Sequence, residues 1–236
     1  GQVLRDPPTP YHFLRYDDVP ADQQNPAWPH DFWAPMKFIP LDIAPGSYLN
    51  FGGELRERVE HFSNPFFGLT PRGTTTYDMH RLLLEGDLHI GDTFRTFIQF
   101  GNYLVSSRST SPPTDVDRFD LQQGFADVRA SVGEDASVTF RGGRQEMTFG
   151  SGRLVDVREG PNIRLSYDAG RVFYESSALR VDAFGAAPVV PRRGAFDDRP
   201  DPRQPFPGQA FWGLYSVIPV SAVPGLHVDL YYLGIL

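Results

Sequence analysis

Beyond residue 47, the chain alternates between extended amphipathic segments and two kinds of connection, one long and polar and the other short. The long connections are rich in Pro, Gly, Arg and Asp and cover residues 63–76, 106–117, 150–162 and 187–209. The short ones cover residues 91–93, 133–137, 175–178 and 219–225. Long loops at one end and short turns at the other are typical of an up-and-down barrel. The pattern predicts an all-β fold, an antiparallel transmembrane β-barrel; the alternative is an ordinary soluble β-sandwich or barrel.

The composition excludes several classes of site and partner. The 236 residues include no Cys, so disulfides and thiolate metal sites are excluded. The net charge of -7 and the lack of a basic run argue against nucleic acid. No apolar stretch approaches the length of about 20 residues that a transmembrane helix requires. The mean hydropathy of -0.33 does not argue against a barrel, because a barrel strand exposes only every second side chain to lipid.

Residues 1–46 differ from the rest of the chain. They contain nine prolines and show little periodicity that would suit a helix or a strand. We therefore predict an irregular, Pro-rich periplasmic arm over 1–46, followed by the first part of a barrel over 47–236. Trp28, Phe32 and Trp33 are expected to pack against the barrel mouth, and a flexible tail is the alternative.

Two neighbouring segments show the alternation of a barrel strand most clearly. The residues expected to face lipid are Leu82, Leu84, Leu88, Ile90, Phe94, Thr96, Ile98 and Phe100. Those expected to face the lumen are Arg81, Glu85, Asp87, His89, Arg95, Phe97, Gln99 and Gly101, while Leu83 breaks the pattern. Because Ile90 and Phe94 must share a face, the turn between them must contain three residues, Gly91, Asp92 and Thr93.

The same parity continues across the later short turns. The residues expected to face lipid are Val128, Ala130, Val132, Val138, Phe140, Val172, Tyr174, Leu179, Val181 and Ala183. Those expected to face the lumen are Asp127, Arg129, Arg141, Arg171, Arg180 and Asp182. A regular strand beyond Arg141 would turn Arg144 and Glu146 toward lipid, which costs a few kcal/mol for an Arg in mid-membrane. We therefore predict a bulge at Gly142 and Gly143, with Arg144, Glu146 and Thr148 in the lumen and Met147 and Phe149 outside.

The number of strands predicts an incomplete barrel. The alternating segments number about nine, whereas bacterial single-chain barrels have an even number of strands. The chain also stops within an apolar run over 231–236, which leaves an open sheet edge. We interpret the sequence as an amino-terminal fragment, truncated at the C-terminus.

Several segments carry a resemblance to a known family. The longest is RQEMTFGSGRLVDVREGPNIRLSYD over 144–168, and the others are YLNFGGELRERVE over 48–60, DRFDLQQGFAD over 117–127, GAFDD over 194–198, FWGLY over 211–215 and YYLG over 231–234. Together they resemble the bacterial alginate export family of outer-membrane barrels from residue 14 onward. The resemblance implies a monomeric barrel of about 18 strands that passes an anionic polysaccharide, or smaller solutes, across the outer membrane.

The basic residues suit that implied function, since 21 of the 22 are Arg and only Lys37 is Lys. Planar guanidinium groups bind carboxylates well, and a polyuronate carries one carboxylate on every sugar. The predicted pore-lining and substrate-binding residues are Arg144, Arg153, Arg158, Arg164, Arg81, Arg95, Arg129, Arg141 and Arg171, with Glu146 and Glu159 holding some of them. Arg56 and Arg58 share their face with Glu54 and Glu60 and are expected to be neutralised locally. Two alternatives stay open: a GC-rich genome that favours Arg codons, and Arg–carboxylate ladders that brace the wall.

The leading hypothesis is an outer-membrane channel or porin for an anionic polysaccharide such as alginate, with its N-terminus in the periplasm. Its partners would be a polyuronate or small anionic solutes, outer-membrane lipid and periplasmic export proteins. The alternatives are a general diffusion porin and a soluble periplasmic carbohydrate-binding β-domain.

We expect no enzyme and no cofactor. The six His are scattered singly, without metal-ligand spacing, and Gly150-Ser151-Gly152 lacks the Lys and the setting of a phosphate loop. Asp197 and Asp198 could act as paired carboxylates or as Ca²⁺ ligands, yet adjacent loop acids are usually solvated.

Overall fold

The computed structural model describes residues 12–18, 32–64, 73–108, 111–201, 203 and 210–235. These residues form one antiparallel sheet of 11 strands. The strands are β1 (Ile39–Pro40), β2 (Tyr48–Ser63), β3 (Thr74–Ile90), β4 (Phe94–Ser106), β5 (Asp117–Val132), β6 (Ala136–Gln145), β7 (Tyr167–Glu175), β8 (Arg180–Val190), β9 (Arg199–Pro200), β10 (Phe211–Pro219) and β11 (His227–Ile235). The helical elements are an α-helix at Ala34–Lys37 and 3₁₀ turns at Arg15–Asp17 and Pro113–Asp115. No helix within the described ranges is long and apolar enough to cross a membrane.

The sheet has the up-and-down topology that the sequence predicts. Each strand pairs with its sequence neighbours from β1 to β8, β10 then pairs with both β8 and β11, and the short β9 pairs with β8 alone. Among the described residues the long strands number nine, because β1 and β9 contain two residues each. The sheet is not closed: it ends at β1 and β2 on one side and at β11 on the other. The all-β prediction and the incomplete barrel wall are both confirmed.

The connections sort by length between the two ends of the sheet. The long ones cover residues 64–73, 107–116, 146–166 and 191–210, and they share the long-loop end. The short ones cover residues 91–93, 133–135, 176–179 and 220–226, and they share the short-turn end. The turn after β3 contains three residues, because Ile90 pairs directly with Phe94. The predicted turn length is therefore confirmed.

The two faces of the sheet differ in chemistry. The outer face exposes large apolar side chains, among them Leu84, Ile98 and Phe140. The half of the inner face toward the long loops is covered by the segment 146–166, which we call the inward loop. Most side chains of the strands that point to this face are buried. Leu83 interrupts the predicted alternation because it lies on the inner face, where it packs in a buried cluster with Tyr103 and with Ile163 of the inward loop.

The predicted bulge at Gly142 and Gly143 is wrong. The pairing of β6 with β5 and with β7 runs through both glycines without a register shift. Gly143 is needed for another reason: its φ is +128°, and an added Cβ would overlap the carbonyl oxygen of Gly124. Register shifts occur instead between β4 and β5, the first next to Gln99, where β5 contains the extra residue Gln122.

Met147 and Phe149 also lie where the sequence did not predict them. Both are buried on the inner face, in a cluster with Tyr167, Phe184 and Tyr215. The outward placement was wrong because β6 ends at Gln145 and the chain then turns inward across the sheet, so strand parity no longer applies.

Part of the amino-terminal arm packs on the inner face. The ring of Tyr16 meets Phe97 and Phe125 edge to face, with centroids 6.1 and 5.3 Å away. Its hydroxyl donates a hydrogen bond to the carbonyl oxygen of Glu146 at 2.9 Å. In contrast, Phe32 is 85% exposed and Trp33 56% exposed. Trp28 lies outside the described residues.

Candidate lumenal site

One side chain of the inward loop, Asn162, is fully buried and contacts the wall at several points. Its amide nitrogen donates to the carbonyl oxygens of His80 at 2.9 Å, Asp115 at 3.1 Å and Leu104 at 3.3 Å. These carbonyls belong to β3, β4 and the 3₁₀ turn before β5. One side chain therefore connects the loop to three separate elements of the wall.

A cluster of guanidinium groups surrounds Glu159 of the same loop. Its carboxylate accepts hydrogen bonds from Arg56 at 2.5 Å, Arg81 at 2.7 Å and Arg164 at 2.5 Å. Arg81 is fully buried, and its Nε also donates to the carbonyl oxygen of Asn162 at 2.8 Å. Burial alone would raise the pKa of the Glu159 carboxyl, but the charges and hydrogen bonds of Arg164 and Arg81 outweigh burial and lower it.

Glu146, at the start of the inward loop, has the opposite electrostatics. Its side chain is fully buried and accepts a hydrogen bond from Gln122 at 2.9 Å, while Arg164 lies 3.5 Å away. Burial raises the pKa of this carboxyl to about 7, and the charge of Arg164 compensates only in part. Loss of hydration therefore sets the direction of the pKa shift at Glu146, whereas the neighbouring guanidinium groups set it at Glu159.

Toward the short-turn end, the inner face carries a ladder of ion pairs between strands. Arg95 binds Asp87 at 2.9 and 2.8 Å, and Arg141 binds Asp127 through two contacts of 2.7 Å. Further along the wall, Asp182 accepts hydrogen bonds from Arg171 at 2.8 Å and from Arg180 at 2.9 Å. Two-pronged pairing of this kind fixes the orientation of a guanidinium group as well as its charge.

Aromatic rings support the same ladder. The guanidinium carbon of Arg141 lies 3.9 Å from the ring centre of Phe125 and 4.5 Å from that of Tyr16. Arg171 lies about 5 Å from the rings of Phe149 and Phe173. The face of an aromatic ring attracts a cation, so these contacts stabilise the guanidinium groups of the ladder. The arm residue Tyr16 is thus part of the wall's charged surface.

A cavity of about 730 Å³ opens along this ladder at the short-turn end. Its lining includes five Arg, which are Arg95, Arg129, Arg141, Arg171 and Arg180, and five acids, which are Asp17, Asp92, Asp127, Glu175 and Asp182. The formal charges of these residues cancel. The lining therefore carries many charged groups but no formal net positive charge.

The structure divides the predicted site residues into four groups. Arg81, Arg164, Glu146 and Glu159 hold the inward loop, and Arg95, Arg141 and Arg171 form the ladder. Arg129, Arg153 and Arg158 have exposed side chains, and of these three Arg129 lines the cavity. Arg144 lies apart from all of them. Their pore-lining and substrate-binding roles stay predictions.

Arg144 connects strands and a loop at the long-loop end. Its Nε donates to Asp168 of β7 at 2.8 Å, and its terminal nitrogens donate to the carbonyl oxygens of Leu121 at 3.2 Å and Asp198 at 3.1 Å. Asp168 lies four residues before the exposed Val172 in β7, so the two side chains are on the same, outer face of the sheet. The bulge that would turn Arg144 into the lumen is absent, and Arg144, which the sequence predicts as pore-lining, instead braces the wall.

Arg56 and Arg58 conform in part to the local neutralisation that the sequence predicts. Arg58 pairs with Glu60 of its own strand at 3.0 Å. Arg56 reaches instead to Glu159 of the inward loop. Sequence reasoning also missed Asn162 and Tyr16, since a single buried Asn or Tyr in an irregular segment has no periodic signal.

An open antiparallel wall with sorted loops, an apolar outer face and a charged inner face defines a class, the outer-membrane β-barrel channels. Residues 47–211 match the family model described as "Alginate export". The chain therefore belongs to the alginate export family, a family of outer-membrane transport proteins rather than enzymes. No curated protein and no solved structure matches the chain significantly.

Proposed function

We propose that this chain forms part of the wall of an outer-membrane channel that conducts an anionic polysaccharide of the polyuronate type, with its N-terminus on the periplasmic side. Family membership supports polysaccharide export in general. The more specific proposal depends on the cavity, where several Arg side chains line one continuous surface at the short-turn end.

Paired charges suit conduction better than a fixed positive ring would. A sugar carboxylate that enters the cavity can share a guanidinium group with the acid that already holds it, so each contact is weak. Passage through a pore requires binding that is favourable enough for entry and weak enough for release. Arg129 is exposed and has no ion-pair partner among the described residues, so it offers the most accessible cation to such a chain.

The inward loop and Tyr16 narrow the inner side of this wall. The loop is anchored by Asn162 and by the Glu159 cluster, and Tyr16 packs beneath it. We propose that the inward loop and Tyr16 confine the polysaccharide to the part of the inner face that carries the ladder of ion pairs. Partners on the periplasmic side would meet the channel at the short-turn end.

Planar-bilayer conductance of the full-length protein tests the proposal. Polyuronate added on the short-turn side should block the current, and a neutral polysaccharide of equal length should not. Arg129→Ala should weaken the block about tenfold, because one accessible cation is lost. Arg203→Ala is the matched control, since Arg203 is exposed, lies outside the cavity lining and pairs with Asp201.

A general diffusion porin is the second candidate, favoured by the balance of five Arg and five acids in the cavity lining. In that case the current would respond equally to polyuronate and to the neutral polysaccharide. Equal block by both, or block that survives Arg129→Ala unchanged, would favour the porin over the polyuronate channel.

A further inference from the structure

Three carboxylates converge at the long-loop end, away from the inner-face ladder. Asp117 and Asp120 lie at the start of β5, and Asp198 lies in the loop after β8, with one oxygen of each within 4.8 Å of the others. Asp117 is 1% exposed and Asp120 4% exposed. Like charges buried this close repel one another unless something compensates them.

The backbone brings these residues together by filling a gap in the sheet. β6 ends opposite the middle of β5, so the first part of β5, residues 117–123, has no β6 residue paired with it on that edge. Residues of the loop after β8 occupy this edge: Phe119 bridges to Ala195, and the N–H of Phe196 donates to the carbonyl oxygen of Phe119 at 3.0 Å. This docking places Asp198 beside Asp120.

Compensation within the cluster is incomplete. Asp120 Oδ2 accepts the backbone N–H groups of Asp197 at 2.7 Å and Asp198 at 3.1 Å, and the guanidinium of Arg144 lies 3.8 Å from Oδ1. In contrast, Asp117 Oδ1 is buried and has no hydrogen-bond partner among the described residues. A buried carboxylate oxygen without a partner is costly, so a cation bound at this position would stabilise the cluster.

The formal charge of the cluster supports the same conclusion. The three carboxylates carry a formal charge of -3, and the nearby guanidinium of Arg144 is also paired with Asp168, so a divalent cation would offset most of the remaining charge. The donor set contains oxygen only.

We propose that Asp117, Asp120 and Asp198 bind a divalent cation of the calcium class, which fastens the loop after β8 to the edge of β5. Calcium accepts six to eight oxygen ligands in flexible geometry, and carbonyl oxygens or water complete such a shell. Magnesium usually keeps several waters and takes one or two carboxylates, so three converging carboxylates favour calcium. The site lies outside the cavity and does not depend on the channel proposal.

Calorimetric titration of the chelator-treated, folded protein with CaCl₂ tests the site. We expect one Ca²⁺ per chain, and Asp117→Asn combined with Asp198→Asn should weaken binding by at least about tenfold. Asp197→Asn is the matched control, because Asp197 is the neighbouring acid, is exposed and contributes no carboxylate to the cluster. It should bind Ca²⁺ as the unchanged protein does.

A second measurement uses the unchanged protein, in case the Asn variants do not fold. Ca²⁺ should slow amide hydrogen exchange at Asp197 and Asp198, whose N–H groups point at Asp120. Absence of saturable Ca²⁺ binding would overturn the proposal, since shared protons would then be what compensates the cluster. Binding that survives the double substitution unchanged would overturn it as well.

Discussion

The two halves of the inner face use the same residue types to different effect. Toward the long-loop end, Arg81 and Arg164 hold a buried loop: Arg81 bonds to the carboxylate of Glu159 and to the carbonyl oxygen of Asn162. Toward the short-turn end, Arg95 and Arg141 bond to acids of neighbouring strands and face an open cavity. Arg–carboxylate pairs therefore anchor a loop in one half, and in the other half they line the cavity that we propose conducts the polysaccharide.

Residue type alone does not separate these roles. The difference comes from what lies over each pair, which is the inward loop in one half and solvent-accessible space in the other. Substitutions in the loop-covered half should therefore act on stability, and substitutions in the open half should act on conduction.

The largest effect is expected for Arg81→Met. The substitution removes a fully buried cation that bonds to Glu54, Glu159 and the carbonyl oxygen of Pro161, so each of these acceptors loses one donor. We expect the free energy of unfolding to fall by about 3 kcal/mol. Denaturant unfolding of the protein in detergent micelles measures the change. Arg153→Met, in an exposed position, should change stability by less than about 0.5 kcal/mol, and an equal loss at both positions would break the contrast.

Asn162→Ala should have the next largest effect. It leaves the carbonyl oxygens of His80, Leu104 and Asp115 without the amide donor in a buried setting. We expect a loss of about 2 kcal/mol in the free energy of unfolding, together with faster proteolysis within 146–166. Leu154→Ala serves as the control, since this side chain of the same loop is 64% exposed. If Asn162→Ala left the loop as resistant to proteolysis as before, the anchoring role of this side chain would be refuted.

The buried Glu146 predicts a pH dependence of stability. Its pKa is about 7 in the folded protein and 4.5 ordinarily, so the folded state favours the protonated form. The resulting stabilisation is fully present below pH 4.5, declines as the pH rises, and is lost above about 7. Glu146→Gln should flatten the stability profile across this window. Unfolding midpoints at several pH values measure the effect, and an unchanged slope in the variant would assign the pH dependence to other groups.

Glu159 predicts a dependence of opposite sign in an acidic window. Arg164 and Arg81 lower its pKa below the ordinary 4.5, so its contribution is present above pH 4.5 and is lost as the pH falls through the lowered value. We expect Glu159→Gln to remove part of the acid-induced loss of stability. Glu175→Gln at the other end of the wall is a useful comparison, because Arg180 holds that acid instead. Equal acid sensitivity in the protein and its Glu159→Gln variant would contradict the prediction.

The smallest effect on stability is expected for Arg129→Ala. The side chain is exposed on the cavity wall, so the free energy of unfolding should change by less than about 0.5 kcal/mol. The same variant is expected to weaken block by polyuronate. A large loss of stability would show that Arg129 braces the wall as Arg141 does, and the separation between the two halves would then fail.

The sequence predicts the succession of strands, long loops and short turns. It also predicts which side chains of the regular strands face inward or outward, and the three-residue turn. These features depend on local periodicity, as in the pairing of Ile90 with Phe94. The family resemblance also came from the sequence, since its segments are contiguous and ordered. The match over 47–211 confirms it.

The parts that could not be predicted depend on contacts between distant segments. The inward course of the chain after Gln145 depends on contacts such as those of Asn162 with β3 and β4, which lie far from it along the sequence. The extra residue of β5 is Gln122, and no glycine lies at this position to indicate a bulge in the sequence. The side chain of Gln122 forms hydrogen bonds with Tyr103 and Glu146, which are distant in the sequence. The glycine pair was misleading, since Gly143 is required by the close approach of Gly124.

The most direct test of the account is to label single cysteines on the two faces, which the Cys-free chain permits without background. Arg129→Cys faces the cavity, and Phe140→Cys lies on the outer face of the adjoining strand. In membranes, a charged thiol reagent should modify Arg129→Cys, polyuronate should slow that reaction, and Phe140→Cys should react only with a lipid-soluble reagent. Equal modification of both positions by the charged reagent would contradict the assignment of one face to the pore and the other to lipid.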